Sequence, residues 1–419
     1  MVYSLRFSGL WRHPDFMRLW VGGTVSGFGS QITFLALPFT AVLVLDASPL
    51  QMGILAAAGS APSLILGLGV GVWVDRRKKR PIMIVADYGR AVLLIAIPTA
   101  ATFDVLRIEY LYAIALGVGV LRMFFSVANR SMLPSLVARD ELVEANSKLA
   151  IGRSASQVAG PGVAGVLIQV FAAPAALIID AVSFVVSALA IRSIQAPEPE
   201  PEVSPTGGDF LDEARQGLGL IWRNRILLGI AGVLGGLAIF NAMFEAVWLL
   251  YVNKDLGVGP FAFGVMFSMS SVGFLLGAFV AARVIRWAGV GRAIVLGVVM
   301  VGLSDLATPL VGGSVVVVVA LLTSANFFFG VGATVANVSQ ESLRQATTPL
   351  RLQGRMNGVM DSLQVGLVPI GALVGGVLGQ TIGLRPTLFL AAVGELAAVI
   401  WLLLTPVWSL RDLPEPSDA

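Results

Sequence analysis

Four carboxyl residues lie well inside stretches that are otherwise almost wholly apolar: Asp180, Glu245, Asp305 and Glu395. A carboxyl enclosed by apolar groups favours its neutral form, so each is a candidate to take up and release a proton near neutral pH. Glu245 leads, because Asn241 and Trp248 fall four residues before and three after it, on one helical face. That polar, aromatic and acidic stripe suits a proton or an organic cation; a position near a water-filled mouth is the alternative. Asp180 opens the run Asp180-x-x-Ser183-Phe184, which suits proton exchange or, equally, packing and capping. Asp305 and Glu395 rank behind these two.

Cations inside apolar stretches narrow the chemistry further, since each costs a few kcal/mol at mid-membrane unless paired or hydrated. Arg122 is the deepest, with Ser126 and Arg130 following at four-residue steps. Its alternative is an ion pair with Asp87 or Asp180. Asp87 and Arg90, three apart, share a helical face and are expected to form a structural ion pair. Arg153 and Asp361 sit near helix ends, where snorkelling is easy. Gln31, Phe34, Asn241, Trp248, Asn326 and Phe327 are candidate walls of a substrate cavity, apolar and aromatic with few polar groups. Such a cavity suits amphiphilic, often cationic, organic molecules.

Elements long enough to place these residues recur along all 419 residues. Hydrophobic residues make up 56% and charged residues 13%, and the mean hydropathy is +0.85. Soluble domains carry nearer 25% charge, so lipid must cover this chain. Apolar runs able to cross a bilayer fall near 17–45, 50–74, 81–103, 108–129, 147–170 and 172–193. A second set falls near 226–252, 260–283, 292–312, 314–337, 358–382 and 385–408. The fold expected is therefore all-α and polytopic, with twelve spans in two groups of six. The implied divisions are a bundle over 1–193, a linker over 194–225 and a second bundle over 226–419.

Lys and Arg crowd one set of loops, Arg76 to Arg80 above all, while the other set holds only Arg107, Lys254 and Arg385. The positive-inside rule then puts both termini in the cytoplasm. The linker opens on Ala-Pro-Glu-Pro-Glu-Pro-Glu over 196–202, a stiff and solvated spacer. Phe210, Leu211, Ala214, Leu218, Ile221 and Trp222 then recur at helical spacing. They suggest an amphipathic helix on the inner leaflet, with a plain tether as the alternative. A shift of about 211 residues pairs Asn146 with Asn357, Gly160 with Gly371 and Gly165 with Gly376, which points to an internal duplication.

Other chemistries find no footing. There is no cysteine, hence no disulfide or thiolate metal site, and the single histidine, His13, builds none alone. No Gly-x-x-x-x-Gly-Lys-[Ser/Thr] occurs, which disfavours ATP-driven pumping, and nothing resembles a nucleophile elbow. The net charge of +3 reflects loop bias and no nucleic-acid surface.

Two motifs carry a resemblance. Gly71-x-x-x-Asp75-Arg76-x-x-x-Arg80 resembles the loop between the second and third helices of the major facilitator superfamily, with Lys78 where the family usually has Gly. Ser156-x-x-x-Gly160-Pro161-x-x-Ala164-Gly165 resembles the antiporter motif of the superfamily's exporters, with Ala164 for a usual Gly; ordinary small-residue packing is its alternative. The stretches Phe16 to Trp20, Leu142 to Ser147, Ile179 to Phe184, Phe210 to Glu213 and Gly354 to Asn357 look like the secretion-effector branch, which includes macrolide-efflux and enterobactin-exporter proteins.

The resemblance implies a proton-coupled exporter in a bacterial cytoplasmic membrane, working as a monomer by alternating access. Its partners would be small amphiphilic molecules such as drugs, protons and the bilayer, with a proton gradient and no cofactor. It also implies that Asp75 caps the eleventh span and pairs with Arg130 as a cytoplasmic latch, and that Arg122 takes part in proton coupling. Many proton-coupled relatives carry an Asp in the first helix where this chain reads Gly29-Ser30-Gln31. The alternatives are a dedicated exporter of a siderophore, metabolite or lysolipid and, in another class, a membrane enzyme or scaffold.

Overall fold

The computed structural model describes residues 9–198 and 210–414, with the side chains of 65–69, 72, 75 and 210–214 outside that description. Thirteen α-helices follow one another, and no strand occurs among the described residues. The helices are α1 (Pro14–Leu43), α2 (Pro49–Asp75), α3 (Lys79–Thr102), α4 (Ile108–Leu136), α5 (Leu142–Phe171) and α6 (Ala173–Arg192). Then come α7 (Phe210–Arg223), α8 (Arg225–Lys254), α9 (Pro260–Ala288), α10 (Val290–Leu310), α11 (Val315–Thr347), α12 (Leu350–Thr381) and α13 (Leu384–Leu403). Eleven of them are long and apolar enough to cross a membrane; α2 is a further long helix, and α7 is the short amphipathic one.

Local chemistry sets the ends. His13 Nδ1 accepts from Phe16 N–H at 3.2 Å and so caps α1, whose first residue is Pro14, a position where the missing N–H costs nothing. Asn224 Oδ1 accepts from Ile226 and Leu227 N–H, separating α7 from α8. The linker is more than a solvated spacer: Glu198 accepts from the N–H groups of Lys79 and Arg80 and caps α3. Just before it, Gln195 and Ala196 N–H donate to Asp15 at 3.0 and 2.8 Å. Residues 199–209 of that spacer lie outside the described residues.

The chain divides into two units, Met1–Asp46 with Ala61–Ser204, and Ala47–Ser60 with Pro205–Ala419. In the first, α1 packs on α5 and α6, and α3 on α4 and α6, around Phe16, Leu19, Met83, Met132 and Ile191. In the second, α8 packs on α12 and α13, α11 on α9 and α10, and α7 on α12 and α8. Its core includes Leu227, Ile294, Met356, Met360 and, from α7, Ile221.

The repeat seen in the sequence is a repeat of elements. A shift of 211 residues carries α1 onto α8 and α6 onto α13 end for end, Pro49 onto Pro260, and the first residue of α3 onto that of α10. It also carries Ala172 (φ 65°), which joins α5 to α6, onto Gly383 (φ 95°), which joins α12 to α13.

Candidate functional site: buried polar centres

In each unit a group of buried acids lies at the same helices, α3 and α6 in the first with α1 beside them, and their repeats α10 and α13 in the second with α8 beside them. In the first unit, Arg90 Nη2 on α3 donates to Asp87 Oδ1, and both residues are buried. The i,i+3 ion pair expected from the sequence is formed. The Arg90 guanidinium lies 4.6 Å from the Phe125 ring centre and 4.0 Å from that of Phe184, which replaces part of its lost hydration. Ser187 of α6 stands beside Asp87.

Asp180 of α6 is buried, accepts from Thr33 Oγ1 of α1 and from Ser183 Oγ at 2.9 Å, and lies within electrostatic reach of Arg90. Gly29 makes room for this group, since a Cβ there would sit 2.2 Å from Asp180 Oδ1. One arginine thus serves two carboxyls. Arg122 is exposed on α4, and Asp87 and Asp180 have the partners just given. The alternative pairing of Arg122 with either acid is therefore not formed.

The second unit places acids on the repeats of those helices at other positions, with no cation beside them among the described residues. Asp305 on α10 faces Glu395 on α13 side chain to side chain, and both are buried. Asn241 of α8 lies beside Glu395. Glu245, a turn further along α8, is within electrostatic reach of both acids and is itself exposed. The sequence ranked Asp305 and Glu395 low; their depth along the helix was legible, but not that α10 and α13 turn them toward each other. Two enclosed carboxyls this close, with no cation beside them among the described residues, repel each other if both are charged.

The stripe expected on α8 is split. Asn241 and Glu245 belong to the acid group, but Trp248 is buried, with ring centres 4.7 Å from Phe263 and 5.2 Å from Phe267. It is packed core between α8 and α9, not an open cavity wall. Asn326 donates to the Leu322 carbonyl at 2.9 Å along its own helix, and Phe327 meets Phe328 edge to face. Phe34 is 49% exposed, at the position equivalent to Glu245 under the repeat.

Gly160, Pro161, Ala164 and Gly165 are all buried on α5, the helix that packs on α1. A Cβ at Gly160 would stand 2.6 Å from Gln31 Cγ, so the motif admits Gln31 into the seam, and α5 runs unbroken through Pro161. In the basic loop, Arg77 lies 4.4 Å over Trp73 and Arg80 donates to the Ala196 carbonyl. Arg76 and Arg130 are exposed, and Gly71 is partly buried. The side chain of Asp75, and so its expected pairing with Arg130, lies outside the described residues. No cluster of three or more His, Cys, Asp or Glu able to hold a metal occurs among the described residues.

Two helical units related by a repeat, built of apolar spans with buried acids, describe a polytopic membrane protein. The sequence profile of the Major Facilitator Superfamily matches residues 19–369, and the chain belongs to that family. It is 28% identical over 377 residues to the multidrug efflux pump Tap of Mycolicibacterium fortuitum, covering 87% of this chain and 89% of that one. It is 22% identical over 384 residues to macrolide efflux protein A of Streptococcus pyogenes, covering 88% and 90%. In fold it is similar to the nucleoside transporter NupG, with a TM-score of 0.76 at 13% identity over 93% of this chain and 98% of that one.

Proposed function

We propose that this chain is a secondary exporter of small amphiphilic, often cationic, organic molecules, working by alternating access with proton antiport in a bacterial cytoplasmic membrane. The observation that carries the reading is the enclosed Asp305–Glu395 pair with Glu245 beside it. A cationic cargo drawn to Glu245 weakens the hold of the group on its proton, because added positive charge favours the carboxylate form. Release of the cargo restores the demand for a proton. Cargo and proton then occupy the site in alternation, which is what antiport requires. The names of Tap and macrolide efflux protein A support drug-like cargo. The first unit, whose Arg90 already offsets Asp87, is the structural counterpart, with Asp180 as a second proton-binding candidate. One observation favours a different cargo: Arg122 is exposed on α4, and an anionic siderophore or metabolite would need such a group.

The test is proton release by purified protein in weakly buffered detergent at neutral pH on addition of lipophilic cations. Wild type should release about one proton per cargo bound, and Glu395→Gln or Glu245→Gln should bind cargo without release. Binding to wild type without release would sink proton antiport for these cargoes.

A further inference from the structure

From Ser26 to the end of α1, every hydrogen-bonding side chain but one has a partner in the protein. Ser26 Oγ donates to the Gly23 carbonyl, Ser30 Oγ to that of Ser26 and Thr40 Oγ1 to that of Ala36, while Thr33 Oγ1 donates to Asp180. The exception is Gln31. It is partly exposed, and its amide has no hydrogen-bond partner among the described residues. Of the side chains outside the description, those within the spans of this unit are the apolar Ile65, Leu66, Leu68 and Val72, and the polar one, Asp75, ends α2.

Gln31 stands deep in its helix, about 25 Å from the start of α1 and about 18 Å from its end at 1.5 Å per residue. At that depth an amide turned to hydrocarbon is strongly unfavourable. A partner from outside the chain, water or cargo, must therefore reach it.

The amide is also held in place. Its stem lies in the gap left by Gly160 of α5, where a Cβ would stand 2.6 Å from Gln31 Cγ and 2.7 Å from its Cβ. A seated stem leaves only the outer torsions free, so less freedom is lost when the amide is engaged.

The fold does not require this side chain. Under the 211-residue repeat Gln31 overlies Ala242 and Gly160 overlies Gly371, and a Cβ at Gly371 would stand 3.0 Å from Ala242 Cβ. A methyl group thus fills the same seam in the second unit, and the amide of the first is an addition to a contact that packs without it.

The neighbouring side chain narrows what the amide can read. Phe34, three residues on and 49% exposed, shares its helical face. An aromatic ring beside a group that both donates and accepts suits a flat organic cation that lies on the ring and turns an amine or hydroxyl to the amide. We infer that Gln31 is a specificity-determining residue of the transport site, seated by Gly160 to hydrogen-bond the polar edge of the cargo. The inference rests on the export of amphiphilic organic cations proposed above, and adds to it a selection for cargo with hydrogen-bonding groups.

The test uses full-length protein in detergent and measures binding of proflavine and acridine orange by fluorescence polarisation. Both are the same cationic acridine, with bare amino groups in proflavine and fully methylated ones in acridine orange, so only proflavine can donate from its amines to Gln31 Oε1. Gln31→Met keeps the seated stem and removes the amide. It should weaken proflavine binding about tenfold, the worth of one hydrogen bond, and acridine orange binding less than about twofold on the same basis. Gln31→Glu, which keeps an accepting oxygen, should keep the preference for proflavine; loss of that preference is contrary. Equal losses for both dyes in Gln31→Met, or no loss for either, leave Gln31 a packing role only and overturn the inference while the cation reading stands. Wild type that binds neither dye removes the cation reading itself, and the inference falls with it.

A monoazide of proflavine photolysed on wild type gives a check independent of any variant's folding. Crosslinks should map to the α1 peptide that carries Gln31 and Phe34, and crosslinks confined to other helices are contrary. None of these measurements follows protons, so failure of antiport and failure of this recognition are separate results.

Discussion

Arg90 shows how much one buried side chain can decide. It lies between two aromatic rings, pairs with Asp87 and is within electrostatic reach of Asp180. Its replacement leaves buried carboxyls without a counter-charge, and breaking a buried pair from one side costs about 3–5 kcal/mol. Arg90→Leu is expected to lower the thermal unfolding midpoint in detergent sharply, and Asp87→Leu/Arg90→Leu to recover much of the loss. A single variant as stable as wild type would contradict the assignment. The pair itself was legible, because three residues apart on a helix is a contact. The environment was not: nothing in the sequence said that Arg122 would stay apart from both acids, or that Thr33 and Ser183 would converge on Asp180. Those relations depend on which faces α1, α3 and α6 turn to one another.

At the scale of elements, the seam of α1 with α5 turns a sequence motif into a contact. Gly160 receives Gln31, so Gly160→Ala overpacks the seam, a change that costs about 1–3 kcal/mol in a filled interior. Adding Gln31→Ala should restore most of that stability. A double-mutant cycle with no coupling between the two positions would show that the motif packs on something else. The cap on α3 is a second case. Glu198 satisfies two N–H groups at the start of that helix, and Glu198→Ala should cost about 1 kcal/mol, as lost caps do; an unchanged unfolding midpoint would refute it. Helix existence was readable from apolar runs and punctuating Pro, Gly and Asn, but the polar end turns were not: α11 runs to Thr347 and α12 begins at Leu350, beyond the apolar stretches 314–337 and 358–382. Glu198 was not, because a Pro-Glu run looks like a solvated spacer until one sees where it returns.

For the whole molecule, the duplication gives the best guide to what is structural and what is functional. Positions equivalent under the 211-residue shift share backbone and packing, so chemistry present in one unit alone has a cause beyond the fold. Asp305 and Glu395 overlie Leu94 and Phe184, and Gln31 overlies Ala242. Both differences bear on function only with the orientation set by the Lys and Arg bias. Because the chain has no cysteine, an introduced one is unique. Val105, in the α3–α4 connection, and Ser409, after α13, are both exposed. A membrane-impermeant maleimide added to intact cells should label Val105→Cys and leave Ser409→Cys unlabelled until the cells are opened. The reverse pattern would put the Arg76 to Arg80 loop on the outer surface, against the positive-inside rule. It would also require the cargo and the proton to cross in directions opposite to export. An α3–α4 connection facing outward puts α7 and the Arg76 to Arg80 loop at the inner surface by the alternation of successive spans, where exposed cations such as Arg76 and Arg77 are favoured by the negative surface potential of that leaflet.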